Sequence, residues 1–414
     1  MRAALGFVGF LVVLYGGSAV IHYTLWRWLG SVAPEFARRR RSLILVALVV
    51  LFALPLGRDI SILFPQVKAA RSLAAVGMLW HITVWLSMAA VGVVRLVLRG
   101  PAVVRRWTAP GNAPAPDAAA KSHAATREEV AREEVASLDR RLALERIGGA
   151  AAFVASGSAL GWGAVRGRYE WAIEEVPIRL AKLPKALDGF TIVQISDLHV
   201  GTFVGERELS MGLGLVDGLR PDLVVVTGDI VDVDARFVPL AAGRLGALKA
   251  RYGKVCIPGN HDYYTGVRAV LDGMKKAGVE VLSNRGKLVA PGDGGFALIG
   301  VDDLWARHRG GSGPDIARAR DMVPPDLATI LLAHQPTFAS TAAASGVDLQ
   351  LSGHTHGGQI NPGFRPIDLF FDYVAGRYDV GGMQLYVNRG FGTAGPPARL
   401  GAPPEITKIV LVAG

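Results

Sequence analysis

The chain has 414 residues, half of them hydrophobic, a mean hydropathy of +0.32 and a formal net charge of +10. The charge is unevenly spread: residues 1–184 carry 23 Lys/Arg against 12 Asp/Glu, and residues 185–414 carry 22 against 23. A basic excess confined to the apolar half is what membrane topology requires, and it argues against a basic nucleic-acid face; no nucleic acid is expected as a partner. The single cysteine, Cys256, excludes an intrachain disulfide, and in the strand-like run "KVCIPG" it reads as a buried structural thiol.

Four apolar segments come first. Residues 5–26 and 72–94 are uncharged and long enough to span a bilayer. Residues 42–57 are short for a span, and residues 147–165 are Ala/Gly-rich and weakly hydrophobic. The organisation read from them is about three transmembrane helices in 1–99, a cytoplasmic linker and juxtamembrane helix in 100–146, a fourth span in 147–166 and a catalytic domain over 185–414. His22 and His81 lie inside the first and third segments, as a pair in a bundle interior or as satisfied packing residues. The clusters Arg38–Arg41, Arg95 to Arg106, and Arg140 to Arg146 flank the segments. With these inside, the chain is a multi-pass protein of the inner (cell) membrane whose catalytic domain is extracytoplasmic.

From about residue 185 the texture changes to short β-rich runs, each ending in residues that can ligate a metal. "FTIVQIS" ends in "DLH", "PDLVVVT" in "GDIVD", "GKVCIP" in "GNHD", "ATILLA" in "HQP", and "VDLQLS" in "GHTHGG". Functional groups gather at the carboxyl ends of strands in α/β folds. Five of the nine histidines fall in these five places. The candidate ligands are Asp197, His199, Asp229, Asn260, His334, His354 and His356, too many for one tetrahedral site. An all-oxygen and imidazole set without thiolate suits Mn, Fe, Zn or Co, as two divalent or trivalent ions sharing a carboxylate. The glycines beside the histidines remove Cβ bulk and permit unusual φ.

The ordered set Asp-x-His, Gly-Asp, Gly-Asn-His-Asp, His, Gly-His-x-His resembles that of the calcineurin-like metallophosphoesterases. "ALDGFTIVQISDLHVG" and "PPEITKI" are similar to a bacterial membrane-attached subgroup related to lipid-diphosphosugar phosphodiesterases. The resemblance implies an α-helical transmembrane region followed by an α/β four-layer fold, a β-sandwich flanked by helices. It implies one ion on Asp197, His199, Asp229 and His356, and a second on Asp229, Asn260, His334 and His354, with Asp229 shared. It further implies hydrolysis of a phosphoester or phosphoanhydride by a metal-bridging hydroxide, His261 as the acid for the leaving oxygen, and Asp262 as the residue orienting His261. The substrate class is a phosphorylated small molecule or a lipid at the bilayer.

Weaker candidates remain. The aromatic stretch 361–379 reads either as a loop folded on the core or as an apolar lip toward the bilayer. Arg389 and Arg399 could each bind a phosphate oxygen. His308 reads as a solvated loop residue, and Asp302 and Asp303 as turn residues. Two other functional readings stand beside the hydrolase: a non-catalytic metal-containing membrane sensor or scaffold, and a nuclease of the same fold.

Overall fold

A computed structural model describes residues 2–64, 69–108, 123–289 and 294–414, with side chains described except at 2–14, 59, 61–62, 99–108 and parts of 123–138. Two compact units emerge: residues 1–57 with 72–160, and residues 58–71 with 161–414.

The first unit is helical. Its elements are α1 (Arg2–Val32), α2 (Pro34–Arg39), α3 (Arg41–Ala53), and parts of α5 (Ala69–Thr108) and α6 (His123–Val165); α4 (Gly57–Leu63) follows α3. Leu25, Trp28 and Val32 of α1 pack with Val84, Met88 and Val91 of α5. Arg95 ties three helices together, donating to Glu145 at 3.0 Å and to Ser31 at 2.9 Å. His22 and His81 are neighbours with ring centroids 4.9 Å apart, and both are satisfied. His22 lies 2.8 Å from the Ser18 carbonyl and accepts from the Trp80 indole, while His81 lies 2.9 Å from the Ser18 hydroxyl.

Among the described residues, Ala69–Leu98 and Asp139–Tyr169 are long and apolar enough to cross a membrane. The expected span 42–57 is a shorter helix, ended at Ala53 because Pro55 opens a 3₁₀ turn. The expected span 5–26 lies partly outside the described side chains, and residues 109–122 of the expected linker lie outside the described residues. The expected juxtamembrane helix and fourth span form one 43-residue helix, α6.

The second unit is an α/β fold with two six-stranded sheets. The strands are β1 (Ala172–Leu180), β2 (Thr191–Ile195), β3 (Leu223–Thr227), β4 (Lys254–Ile257), β5 (Glu280–Val281), β6 (Arg285–Val289), β7 (Phe296–Gly300), β8 (Thr329–Leu332), β9 (Leu349–Ser352), β10 (Gly376–Val380), β11 (Met383–Val387) and β12 (Glu405–Ala413). The first sheet runs β1-β12-β2-β3-β4-β5 and the second β10-β11-β9-β8-β7-β6. β2 through β5 are parallel, as are β7, β8, β9 and β11.

Ile192, Leu223 and Val255 of the first sheet share a core with Leu298, Ile330 and Leu349 of the second. The other face of the first sheet packs on α7 (Glu206–Gly218), α8 (Val238–Gly246) and α10 (Val267–Lys276), which follows the short α9 (Asn260–Thr265). The other face of the second packs on α11 (Ile316–Arg320) and α12 (Ala339–Ala344). Runs such as "LVVVT" are buried on both faces and so read as continuous apolar stretches. The unit begins well before residue 185, since β1 pairs along its whole length with β12. Cys256 is buried on β4, as expected.

Candidate metal centre

All five ligand-bearing segments leave the carboxyl ends of parallel neighbours: β2, β3 and β4 in one sheet, β8 and β9 in the other. The chain must turn sharply there. Five site residues hold positive φ: Asp197 (53°), His199 (47°), Asp229 (51°), His354 (76°) and His356 (53°). Each such non-glycine conformation costs about 1–3 kcal/mol, so the surrounding contacts must impose it. Backbone bonds between segments do so. Asp197 N–H donates to Gly228 O, His199 N–H to Asp229 O and Gly353 N–H to His334 O, each at 3.0 Å. Two glycines let the candidate ligands approach the backbone closely. A Cβ on Gly259 would collide with Asp229, and one on Gly353 with Ser196 and Asp197.

The seven candidate ligands converge. His199 Nε2 lies 3.0 Å from His356 Nε2, which is 3.4 Å from Asp197 Oδ1. On the other side His334 Nε2 lies 3.2 Å from both Asn260 Oδ1 and His354 Nδ1. Asp229 Oδ2 stands between the groups, 3.3 Å from His334 Nε2 and 3.6 Å from His199 Nε2. Its other oxygen is occupied by the His261 backbone N–H at 2.8 Å. Asp197, His199 and His356 form one triplet of mutually close donor atoms; Asp229, His334 and His354 form another.

Two atoms each about 2.1 Å from one cation sit about 3.0–3.4 Å apart, so these spacings are those of a coordination polyhedron's edges. Imidazole nitrogens and carboxylate oxygens converging at these spacings form a donor set that a cation can gather. The donor set and its spacing therefore fit metal ions. The His334 Nδ1–H donates to Thr227 O at 2.7 Å, which leaves Nε2 as the free ligand atom.

Electrostatics separate the imidazoles. Burial lowers the pKa of His354 to about 3, with His334 adding to the effect. Burial also lowers His356, with help from His199 and Arg399. At His334 burial is outweighed by Asp229 and Asp197, which hold its pKa well above the ordinary value. At His261 burial is likewise outweighed, by Asp229 and Asp232, and the pKa rises to about 9.

Asp262 does not orient His261. Its carboxylate caps the turn, accepting the backbone N–H groups of Gly259 (2.9 Å), Ile230 (3.0 Å) and Val231 (3.1 Å). The partner of His261 is Asp232, whose Oδ1 lies 3.1 Å and carbonyl O 3.0 Å from His261 Nδ1. Asp232 is the last residue of "GDIVD", three places after Asp229; the residue type was on view, and only the fold selects it. Arg58 completes the contact, donating to Asp232 Oδ2 at 2.6 Å.

Arg389 and Arg399 are both engaged by groups of the fold itself. Arg399 is fully buried and braces the His356 loop through the carbonyls of Gly390, Gly392, His356, Arg389 and Ala402. Arg389 pairs with Glu174 at 2.6 Å and Glu405 at 3.0 Å. Asp302 accepts from the Asp303 N–H and from the distant Tyr263 Oη, Asp303 accepts from the Trp305 N–H and from Gln335 Nε2, and His308 is exposed.

A model of the calcineurin-like phosphoesterase family matches residues 190–358. The uncharacterized metallophosphoesterase YkuE of Bacillus subtilis is 36% identical over 290 residues, covering 66% of this chain and 98% of its own. The chain belongs to the calcineurin-like metallophosphoesterases. Within that family it is also 37% identical over 254 residues to a "Transmembrane protein with metallophosphoesterase domain" of Bos taurus, covering 58% of this chain. A protein of the same description from Danio rerio is 37% identical over 248 residues. The metallophosphoesterase described here spans 57% of the length of each of these two relatives.

Proposed function

We propose that this protein is a membrane-anchored, two-metal hydrolase of phosphoesters or phosphoanhydrides. The observation that carries the reading is the placement of Asp229 Oδ2 between two donor groups, 3.3 Å from one histidine and 3.6 Å from the other. Asp197, His199 and His356 would hold one ion; Asn260, His334 and His354 would hold the second; Asp229 would serve both. When bound, such ions supply Lewis acidity that lowers the pKa of water and neutralises phosphoryl charge. Mn, Fe, Zn and Co all suit the donors.

The chain's own residues supply the rest. His261 is partly exposed, and Asp232 holds it through Nδ1, so Nε2 is left to give a proton to the leaving oxygen. Asp262 is assigned to the turn that carries Asn260 and His261. The unit is read as four layers, supported by the separate apolar clusters on the outer face of each sheet.

The membrane reading has α1, α3, α5 and α6 as spans, with the amino terminus and the catalytic unit outside. Exposed apolar side chains on these helices, such as Val46, Val49, Val93 and Leu96, support it. So does the grouping of residues 58–71 with the catalytic unit, because a four-span path puts that connection and the carboxyl-terminal region on one side. A reporter that is active only outside the cytoplasm, fused after residue 414, tests the orientation.

A lipid or other amphiphilic envelope substrate is favoured by one further observation. Phe364, Leu369 and Phe370 are 65%, 81% and 80% exposed, and Phe371 of the same segment packs on His354 with ring centroids 5.9 Å apart. An apolar lip beside the centre suits a substrate with an acyl chain. The neutral catalytic half disfavours a nuclease. The hydrolase reading is tested by assaying the full-length protein in detergent on bis-p-nitrophenyl phosphate, with and without Mn. Turnover that requires Mn and is lost in Asp229→Ala is expected. Metal-loaded protein without turnover would favour the sensor or scaffold.

A further inference from the structure

We propose that Arg58 is a positioning residue for leaving-group protonation, acting through Asp232 on His261. The inference rests on the hydrolase reading above.

Arg58 lies in α4, far ahead of the family match that starts at residue 190. Its Nη2 donates to Asp232 Oδ2 at 2.6 Å, with side-chain exposures of 22% for Arg58 and 9% for Asp232. The other oxygen of that carboxylate, Oδ1, faces His261 Nδ1 at 3.1 Å. Asp232 is thus gripped on both oxygens, one by a permanent cation and one by the imidazole. A second arginine of the same connection, Arg71, stacks its guanidinium 5.7 Å from the centroid of Phe237, five residues beyond Asp232. The connection is therefore fastened at both ends to the segment 232–237.

The physical roles follow. A short, charge-assisted bond in a shielded place fixes the carboxylate plane. A fixed carboxylate fixes the imidazole, with Nδ1–H toward Asp232 and Nε2 toward the reacting group. In the reaction a bond forms between water oxygen and phosphorus as the bond from phosphorus to the leaving oxygen breaks. The Nε2 proton of His261 goes to that leaving oxygen, and the proton given up by the attacking water passes to solvent, from which His261 is reprotonated. Arg58 touches neither substrate nor metal, and its removal should let Asp232 turn and the imidazole drift. Catalytic competence would then depend on a residue supplied by the connection between two membrane helices, which a catalytic unit cut at residue 161 would lack.

The test uses full-length protein in detergent, loaded with Mn, as wild type, Arg58→Ala and Arg58→Lys. Each is assayed on a p-nitrophenyl phosphodiester and on an alkyl phosphodiester, whose poor leaving group needs the proton far more. Bound Mn and the melting temperature are measured alongside. Arg58→Ala is expected to keep two Mn per chain and a KM within about twofold, and to lose about tenfold in kcat on the alkyl ester, with a loss below about threefold on the nitrophenyl ester. Arg58→Lys should recover part of the alkyl-ester rate, and added guanidinium should do the same for Arg58→Ala. Equal losses on both esters, a loss confined to KM, or no loss at all would overturn the proposal. If Arg58→Ala does not fold, the same comparison is read from Arg58→Lys alone. Wild-type protein inactive on both esters would instead reject the hydrolase reading.

Discussion

His261 Nδ1 lies 3.1 Å from Oδ1 of Asp232, a residue 29 positions earlier on the neighbouring strand's loop. If that contact orients the imidazole, Asp232→Asn and His261→Ala disable one device. Each should retain its metal and lose turnover by about 10²-fold or more on a poor leaving group. The double variant should fall little below the worse single variant, since coupled residues are not additive. Independent, multiplying losses in steady-state kinetics would separate the two residues.

Asp229→Ala removes the one carboxylate oxygen that faces both donor groups. It should lose metal as well as activity, and elemental analysis of purified protein should find fewer than two ions per chain. Asp262→Ala should act differently. It removes the acceptor of three backbone N–H groups, and each buried donor left unpaired costs about 1–3 kcal/mol. A lowered melting temperature is its expected signature.

Cation binding should be linked to pH through His334. In the metal-free protein Asp229 and Asp197 overcome burial and keep this ring protonated above its ordinary pKa. A cation on Nε2 must displace that proton, so affinity should rise as pH rises, with about one proton released per chain near neutrality. His354, lowered to about 3 by burial and His334, has no proton to displace there. The pair of His334 with Asp229 also stabilises the metal-free fold below pH 6.5, and that contribution fades as pH climbs through the raised pKa. Calorimetric titration with Mn in two buffers of different ionisation enthalpy measures the proton count. No release near neutrality would contradict the charge state assigned to His334.

Gly259→Ala and Gly353→Ala probe the close approach of backbone to ligand. The added methyl groups would press on Asp229 and on Asp197, respectively. Each should weaken Mn binding while costing roughly 1–3 kcal/mol of stability, measured by metal titration and denaturant melts. Normal Mn affinity in both would show that the turns can relax.

The convergence of these residues was legible in the sequence because each strand run stops at its candidate ligands, so Asp197, His199, Asp229, Asn260, His334, His354 and His356 could be named as candidates from local pattern alone. Asp232 could not. Both Asp232 and Asp262 sit close to the ligands in sequence, and only the three-dimensional path decides which carboxylate meets the His261 ring and which caps backbone. Strand β1 carries a weak signal because "AIEEVPIRL" alternates, with Glu175 and Arg179 on its exposed side, and resembles a polar connection. Arg58 carries no local signal at all, since its partner lies 174 residues away. The second expected span, 42–57, was half legible: the apolar run is there, but Pro55 cuts it short.

Strand β12 lies between β1 and β2, with Ile409 opposite Val176 on one side and Ile192 on the other. Ribosomes deliver residues 405–413 after every other strand of both sheets. Until they arrive, β1 has no neighbour, and one edge of the first sheet stays open. The first sheet therefore closes only when its carboxyl-terminal strand is in place. Its final strand then locks the assembly like a keystone.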